Sequence, residues 1–212
     1  MKFLSKNDDF PPVSEAGAYG ILAFGGDLSF DRLISAYKKG IFPWYNEGEP
    51  ITWYSPDPRM VLFPEDLKVS KSMRKVLRDG RFKVTFNTNF EAVIRNCKSI
   101  FRPGDFGETW ITNEMEQAYI QLHKKGKAKS VEVWLNDELV GGLYGIDLGT
   151  VFCGESMFSK VSNASKVAFI SLVRKLEQEG YNLIDCQVYN DHLASLGAIE
   201  IDREDFLMYL PK

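Results

Sequence analysis

Hydrophobic and polar residues follow regular periods from Met60 onward, and these periods predict a mixture of strands and helices. Apolar residues at every second position indicate strands, and a spacing of three or four indicates helices. The predicted strands cover residues 61–63, 83–87, 130–135, 138–146, 150–159 and 183–188. The predicted helices cover residues 70–80, 90–96, 112–125 and 163–179, with Gly126 and Gly180 ending the last two.

The order of these elements predicts how the last strands pair. Three strands between residues 130 and 159 are joined by short turns, so we expect an antiparallel meander. The helix at 163–179 then leads to strand 183–188, and a helical crossover places two strands parallel in one sheet. Glu155 and Asp185 lie among apolar residues at the ends of these strands. Because charged groups are rarely buried unpaired, this arrangement favours a functional site.

The first 58 residues lack this regularity and are rich in glycine, proline and aromatic residues. One helix is predicted at residues 28–39, with Asp27 or Ser29 as its cap and Gly40 behind it. Pro56 and Pro58 stop any helix and mark a boundary. We therefore predict a small irregular N-terminal domain, residues 1–58, and a larger domain, residues 59–212.

Charge is distributed unevenly along the 212 residues. The formal net charge is only −3, but residues 68–102 hold ten Lys or Arg residues and two acids, a local charge of +8. A basic patch on an acidic protein is typical of a face that binds a polyanion. A solvated helix face that happens to be basic explains the same charges.

Composition also narrows the class of protein. The sequence contains no run of about 18 apolar residues, and its first residues turn acidic before an apolar segment develops, so we expect neither a membrane span nor a signal peptide. Cys97, Cys153 and Cys186 are an odd number in apolar contexts, and we expect free buried thiols in a reducing cytoplasm. With two histidines and no metal-ligand spacing, we expect no metal site.

The order helix, three-stranded meander, helix and strand is that of the N-acetyltransferase (GNAT-like) core. By this analogy we expect an α+β or α/β fold in which the irregular N-terminal domain precedes a mixed-sheet acyltransferase core. Such enzymes hold the pyrophosphate of coenzyme A on a glycine-rich turn at the start of the crossover helix. The corresponding residues 159–166 contain no glycine. The scaffold therefore favours acyl transfer from a carrier other than coenzyme A.

Six motifs occur in order along the chain. They are Gly25-Gly26-Asp27-Leu28-Ser29; Ala36-Tyr37 with Gly40-Ile41-Phe42-Pro43-Trp44; Trp53-Tyr54-Ser55-Pro56; Thr109-Trp110-Ile111-Thr112; Phe152-Cys153-Gly154-Glu155-Ser156-Met157-Phe158-Ser159; and Asp185-Cys186-Gln187 with Asn190-Asp191-His192. Together, over residues 19–210, they resemble the leucyl/phenylalanyl-tRNA–protein transferase family. Leu143 stands where the family has a methionine, an exchange of similar volume.

The resemblance implies a reaction. Leu or Phe, with Met as a further candidate, would move from aminoacyl-tRNA to the α-amino group of a protein beginning with Arg or Lys, marking it for N-end-rule degradation. The chemistry is aminolysis of an ester, which needs a positioned, unprotonated amine and a stabilised oxyanion. The resemblance further implies no cofactor, no metal, no membrane partner, and a monomer in the cytoplasm.

Asp185 and Gln187 are two positions apart on one predicted strand, so their side chains should share a face. The Asp185 carboxylate is expected to accept a hydrogen bond from the Gln187 amide, leaving the amide oxygen for the incoming amine. The resemblance implies that this pair is catalytic. A neutral amide is a weak base, which favours a positioning role; a purely structural hydrogen bond is the alternative. Replacing Asp185 with Ala should lower the rate and leave the fold intact.

Glu155 is the third catalytic candidate. Together with Asp185, it would give the cationic terminus of the acceptor an electronegative pocket. An ordinary carboxylate at a strand end is the alternative.

Leu143, Phe152 and Met157 are the candidates for an apolar pocket around the donor side chain. A methionine suits a pocket that takes both Leu and Phe, because it is flexible and polarisable. Apolar strand residues usually belong to the core, and only the resemblance distinguishes these three.

Aromatic and basic residues are the candidates for binding tRNA. Trp44 and Trp110 are expected to stack on the terminal adenine, with Tyr37 contacting the same end; core packing is the alternative. Four basic residues of the predicted helix 70–80 are expected to bind phosphates of the acceptor stem: Lys71, Arg74, Lys75 and Arg78.

Two other functions stay open. A coenzyme-A-dependent N-acetyltransferase is disfavoured by the missing glycine turn. A non-catalytic tRNA-binding module explains the basic patch and the tryptophans, but leaves Glu155, Asp185 and Gln187 without a role. His123 is expected to be exposed, and His192 to support the loop after the site strand.

Overall fold

The fold comes from a computed structural model that describes residues 2–100 and 110–211. Arg102 of the basic segment and Thr109 of the fourth motif lie outside the described residues. Within the described ranges, the elements in chain order are β1 (Lys2–Leu4), β2 (Ile21–Gly25), α1 (Phe30–Lys38), β3 (Phe42–Pro43), β4 (Thr52–Tyr54), β5 (Arg59–Leu62), α2 (Lys71–Arg78), β6 (Lys83–Phe86), α3 (Phe90–Ser99), α4 (Asn113–Lys124), β7 (Ala128–Leu135), β8 (Glu138–Asp147), β9 (Val151–Ser159), α5 (Ala164–Gln178), β10 (Leu183–Gln187), α6 (Asp191–Ala194), β11 (Ile199–Ile201) and α7 (Arg203–Tyr209).

The larger sheet has the strand order β11-β5-β10-β9-β8-β7-β6 over the described part of the chain. β7, β8 and β9 form the antiparallel meander. β10 lies parallel to β9, with Leu183 opposite Val151 and Asp185 opposite Cys153, and α5 makes the crossover between them. The predicted meander, the parallel pair and the mixed-sheet fold class are therefore confirmed.

Helices cover both faces of the larger sheet. α3 and α4 pack on one face, and their buried side chains, such as Val93 and Tyr119, belong to one core cluster. α5 packs on the other face, where Val167, Ile170 and Val173 belong to a second cluster. The apolar spacing that predicted the helix at 163–179 is thus the spacing that fills this second core.

A smaller sheet with the order β1-β2-β4-β3 is built from residues 2–54. Its buried side chains, including Trp53, join Tyr119 and Phe206 in the first core cluster. The division of the chain at residue 58 stays a prediction.

Side chains cap the predicted helices 70–80 and 112–125 at their expected starts. Ser70 Oγ accepts the backbone N–H of Met73 at 3.2 Å, and Thr112 Oγ1 accepts that of Met115 at 3.1 Å. Each bond satisfies a backbone donor that the first turn leaves without a helical partner. Gly180 follows the C-terminal end of α5 with φ +76°, a backbone conformation that suits glycine.

Several short elements were not predicted from the sequence. They are β1, β2, β3, β4, α6, β11 and α7, none longer than seven residues. So few residues cannot establish a period of 2 or 3.6, so packing decides their conformation.

Candidate functional site

A cleft opens where β9 and β10 separate. The two strands pair as far as Cys153 and Asp185, but β9 continues to Ser159. The cleft beyond this point has a volume of about 560 Å³, with residues 154–159 on one wall and 184–188 on the other. The lining also includes β3 of the smaller sheet, Trp44 directly after it, and part of α5. The parallel crossover therefore positions the cleft between two strand ends.

Two β-bulges direct the polar residues at this end of the strands. In the β8–β9 ladder, Tyr144 lies opposite Ser156 and Gly145 opposite Gly154, so Glu155 is the extra residue. Glycine is required at position 145, because a Cβ atom there would lie 2.2 Å from the carbonyl oxygen of Cys153. Bulges of this kind redirect a side chain beside a site.

The second bulge lies in the β5–β10 ladder. Val61 lies opposite Asp185 and Met60 opposite Gln187, which makes Cys186 the extra residue. Gln187 has φ +66°, in the left-handed region that non-glycine residues rarely adopt. Its side chain leaves the regular alternation of the strand at this point.

Glu155 is the centre of a hydrogen-bonded chain. Its Oε1 accepts the Gln187 Nε2–H at 2.9 Å, and its Oε2 accepts the hydroxyl of Tyr119 at 2.9 Å. The Tyr119 hydroxyl also pairs with that of Tyr37, and both rings are buried. The chain of polar groups runs from the protein interior to the cleft surface.

Burial raises the pKa of Glu155 to about 8. The hydroxyls of Tyr37 and Tyr119 and the amide of Gln187 act in the opposite direction, and the negative charge of Asp185 adds to the increase. The carboxyl group is therefore mostly protonated at neutral pH and ionises slightly above it, and a pKa so strongly shifted is typical of groups in functional sites.

Asp185 forms a buried ion pair with Arg59. Arg59 Nε and Nη2 donate to the two carboxylate oxygens at 2.8 and 2.6 Å, and both side chains are 1% exposed. Such a two-point contact between a guanidinium and a carboxylate is one of the strong forms of charge-assisted hydrogen bonding. Asp185 Oδ1 also accepts the backbone N–H of Gln187 at 2.9 Å.

The predicted hydrogen bond between the Asp185 carboxylate and the Gln187 side-chain amide is wrong. The amide donates to Glu155 instead, and Asp185 contacts the backbone of Gln187. The prediction assumed a regular strand, whereas the bulge at Cys186 changes the direction of Gln187. Asp185 is also wrong as an open counter-charge for an acceptor, because Arg59 already neutralises it.

The three residues predicted for a donor pocket lie together. Leu143, Phe152 and Met157 all line the cleft, on the neighbouring strands β8 and β9. Phe169 and Leu172 of α5 extend this apolar wall. Their role as a donor pocket stays a prediction.

Of the three aromatic residues predicted to bind the tRNA end, two line the cleft and one is buried. Trp44 is 43% exposed and Trp110 is half-buried, and both line the cleft. Tyr37 is 1% exposed and lies behind Glu155. Its expected contact with the tRNA end requires correction, because its buried ring has no free face for a ligand.

The predicted basic residues lie outside the cleft. Lys71, Arg74, Lys75 and Arg78 are exposed on α2, whose buried Met73 anchors it against the α5 side of the sheet. α2 packs against α5, and α5 contributes to the cleft wall. The charged helix therefore lies on the face of the larger sheet that α5 covers.

Arg59 and Tyr119 are site residues that the sequence did not predict. An arginine directly before the apolar run Met60-Val61-Leu62 was an available signal, because a charge so placed needs a buried partner. Tyr119 follows the apolar spacing of its helix, which predicts core packing, although a buried tyrosine hydroxyl also needs a hydrogen-bond partner.

The histidines and cysteines differ in part from their predictions. His123 is half-buried and stacks on Phe90, so its predicted exposure was wrong. His192 lines the cleft. Cys97 and Cys153 are buried as predicted, but Cys186 is only half-buried.

No group of three or more His, Cys, Asp or Glu side chains among the described residues is arranged to hold a metal ion. None of the helices between residues 2–100 and 110–211 has the length and apolar character to cross a membrane.

Both parts of the chain match models of the same protein family. Residues 61–211 match the family model of the leucyl/phenylalanyl-tRNA protein transferase, and residues 26–57 match that of its N-terminal domain. Curated proteins named leucyl/phenylalanyl-tRNA–protein transferase are similar over nearly their full length. That of Flavobacterium johnsoniae is 65% identical over 99% of both chains, and that of Flavobacterium psychrophilum is 60% identical over 100% of both. The one from Pseudomonas aeruginosa is 53% identical over 100% of this chain and 94% of its own.

Solved structures are similar at a much lower level. An aminoglycoside acetyltransferase from an uncultured soil metagenomic sample has a TM-score of 0.42 and 13% identity, covering 63% of this chain and 90% of its own. A GCN5-related N-acetyltransferase from Kribbella flavida has a TM-score of 0.38 and 12% identity, covering 79% and 59%. Nothing about substrates follows from similarity at this level.

Proposed function

The chain belongs to the leucyl/phenylalanyl-tRNA–protein transferase family, and from this premise we propose that it transfers Leu or Phe from aminoacyl-tRNA to proteins that begin with Arg or Lys. The observation that best supports the proposal is one cleft with an apolar wall, formed by Leu143, Phe152 and Met157, and the polar pair Glu155 and Gln187 beside it.

The reaction joins an amine to an ester carbonyl. The α-amino nitrogen of the acceptor attacks the carbonyl carbon of the aminoacyl ester, and a new peptide bond forms as the bond to the ribose oxygen breaks. The nitrogen loses a proton and the ribose oxygen gains one. Because the ester is already activated, holding the two reactants together accounts for much of the rate.

Glu155 is suited to receive the acceptor amine. A free α-amino group has a pKa of about 7.7–8.0, and burial raises the pKa of Glu155 to about 8. The two groups therefore exchange a proton at little cost in free energy, which leaves a neutral amine for attack. In its ionised form, Glu155 also supplies the counter-charge for the cationic terminus.

Gln187 orients the amine. Its Nε2–H is held by Glu155, which directs the amide oxygen as an acceptor for an amine N–H. On the donor side, the apolar wall takes the Leu or Phe side chain, and Trp44 and Trp110 take the terminal adenine. Stacking on an exposed tryptophan suits an unpaired base at a single-stranded end.

The reaction takes place in the cytoplasm, where charged tRNA is present, and the protein acts as a monomer. The acceptor that receives Leu or Phe becomes a substrate for N-end-rule degradation. Met serves as a further donor because the wall is formed by flexible apolar side chains.

A transfer assay tests this function. Radiolabelled Phe should pass from charged tRNA to a peptide that begins with Arg and not to a matched peptide that begins with Ala. A peptide with an acetylated N-terminus is the chemical control, since it has no free amine. Absence of transfer to the Arg peptide, with folded protein and intact Phe-tRNA, would reject the proposal.

The basic helix α2 gives a second, smaller prediction. Changing Arg74 and Arg78 to Ala should weaken tRNA binding and lower the slope of log K against log salt by about 0.7–0.9 for each phosphate that the protein no longer neutralises. kcat at saturating Phe-tRNA should stay unchanged, because α2 does not line the cleft. Binding isotherms over a range of salt concentrations measure the slope. An unchanged slope would show that this helix does not contact phosphates.

A further inference from the structure

Arg59 is a buried cation held by several separate segments of the chain. Its guanidinium lies between the rings of Phe42 and Phe206, 4.8 and 4.7 Å from their centroids. Nη1 also donates to the carbonyl oxygen of Gly40 at 3.2 Å. The two aromatic rings and the carbonyl acceptor allow the planar guanidinium group only one orientation. The segment before β3 and the C-terminal helix α7 thus set the orientation of Arg59.

The fork of Arg59 in turn fixes Asp185. Both carboxylate oxygens bind the guanidinium, and Oδ1 also receives the backbone N–H of Gln187. The backbone of Gln187 is in the left-handed region, and a non-glycine residue keeps this conformation only if its surroundings stabilise it. The Asp185 carboxylate is a contact that holds it, because it binds the N–H of the strained residue itself.

We propose that Arg59 is a positioning residue for aminoacyl transfer, which acts through Asp185 to fix the backbone of Gln187 and so direct the Gln187 amide to Glu155. The inference rests on the proposed function, since the atoms so positioned are those that receive the acceptor amine. Arg59 itself contacts no reacting atom.

Stability alone does not account for this arrangement. A buried ion pair is often replaced by apolar side chains without loss of stability, because removing two charges from water is costly. The fork geometry, however, does what an apolar pair cannot, since it leaves a carboxylate oxygen in place for the Gln187 N–H. A structural role and a positioning role therefore predict different kinetics.

The first test compares Arg59→Lys with Arg32→Lys. Arg32 is a matched control, because its side chain is 8% exposed, its guanidinium lies over the Phe10 ring and it donates to backbone carbonyls within residues 5–8, yet it does not line the cleft. Lysine keeps the charge but cannot bind both oxygens of a carboxylate in a fork.

For Arg59→Lys, kcat should fall about 100-fold, the effect of misplacing a reacting group by about 1 Å. KM for Phe-tRNA should stay unchanged, because the donor wall is intact. Arg32→Lys should keep the kcat of the wild type. A folded Arg59→Lys variant with wild-type kcat would overturn the inference.

The double variant Arg59→Met/Asp185→Leu is the second test, and it decides the question if Arg59→Lys does not fold. Replacing both charges with apolar side chains should preserve folding, whereas the Gln187 N–H loses its acceptor. Positioning predicts a folded protein with low kcat and normal binding of a phenylalanyl-adenosine mimic. A folded double variant with normal kcat would refute it. Wild-type protein that transfers no Phe would instead reject the proposed function, so the two failures are distinguishable.

Discussion

Glu155→Gln is expected to lower kcat/KM for an Arg-initiated peptide about 1,000-fold, within the range typical of losing a proton-transfer group. The substitution removes the counter-charge of the acceptor and the group that takes its proton. The side-chain volume is almost unchanged, and the new amide oxygen still accepts the Tyr119 hydroxyl. Binding of a phenylalanyl-adenosine mimic should therefore be unaffected, because Leu143, Phe152 and Met157 are untouched. Steady-state kinetics with a peptide acceptor give the first quantity, and calorimetry gives the second.

Glu132→Gln is the matched control for this experiment. Glu132 is a buried carboxylate on β7 that accepts hydrogen bonds from Thr85, Thr88 and Ser130, and it does not line the cleft. Its substitution should leave kcat/KM of the folded protein unchanged. A loss of less than about tenfold for Glu155→Gln would be too small for general acid–base catalysis and would contradict the assigned role.

The same carboxyl group predicts how the rate depends on pH. Because burial raises the pKa of Glu155 to about 8, the protonated form predominates below that pH. The ionised fraction, which binds the cationic terminus and accepts its proton, falls as pH decreases. kcat/KM of the wild type should therefore fall with decreasing pH below about 8. Carboxyl ¹³C NMR distinguishes this titration from that of the acceptor amine, since the resonance that titrates near 8 should be missing in Glu155→Gln.

The parts of the site that follow from long, periodic elements were predictable from the sequence. The apolar spacing of α5 predicted a crossover helix, and the handedness and parallel pairing that a crossover imposes bring Glu155 and Asp185 to one end of the sheet. The helix cap at Thr112 was also predictable, because its hydrogen bond joins residues only three positions apart. Patterns of this kind depend on neighbours in the chain, so the chain alone reveals them.

The contacts that define the chemistry depend on distant residues and were missed. Arg59 and Asp185 are 126 positions apart, and the sequence around either residue does not indicate that the other is its partner. The bulges at Glu155 and Cys186 arise from the fit between neighbouring strands, which a single strand does not encode. A one-residue bulge was enough to move the Gln187 amide from Asp185 to Glu155, so the identity of the site residues was predictable while their partners were not.

Asp185→Ala is expected to destabilise the fold by about 3–5 kcal/mol, the cost of leaving one member of a buried ion pair without its partner. This replaces the expectation from the sequence that the substitution would leave the fold intact. Arg59 is 1% exposed and enclosed by Phe42 and Phe206, so its charge cannot reach water when the carboxylate is removed. Urea unfolding, analysed by linear extrapolation, measures the change in free energy.

Glu91→Ala provides the comparison for this measurement, because Glu91 pairs with Arg95 on the surface of α3, where both side chains are about half exposed. Its loss should cost about 0.3–0.5 kcal/mol, as for exposed pairs one helical turn apart. If Asp185→Ala also cost less than about 1 kcal/mol, water would have to reach Arg59, and the enclosed pair would not exist in solution. Adding Arg59→Met and replacing Asp185 with Leu should recover most of the lost free energy, because no charge then remains buried. Recovery of stability without recovery of kcat would separate what the pair contributes to folding from what it contributes to the direction of Gln187.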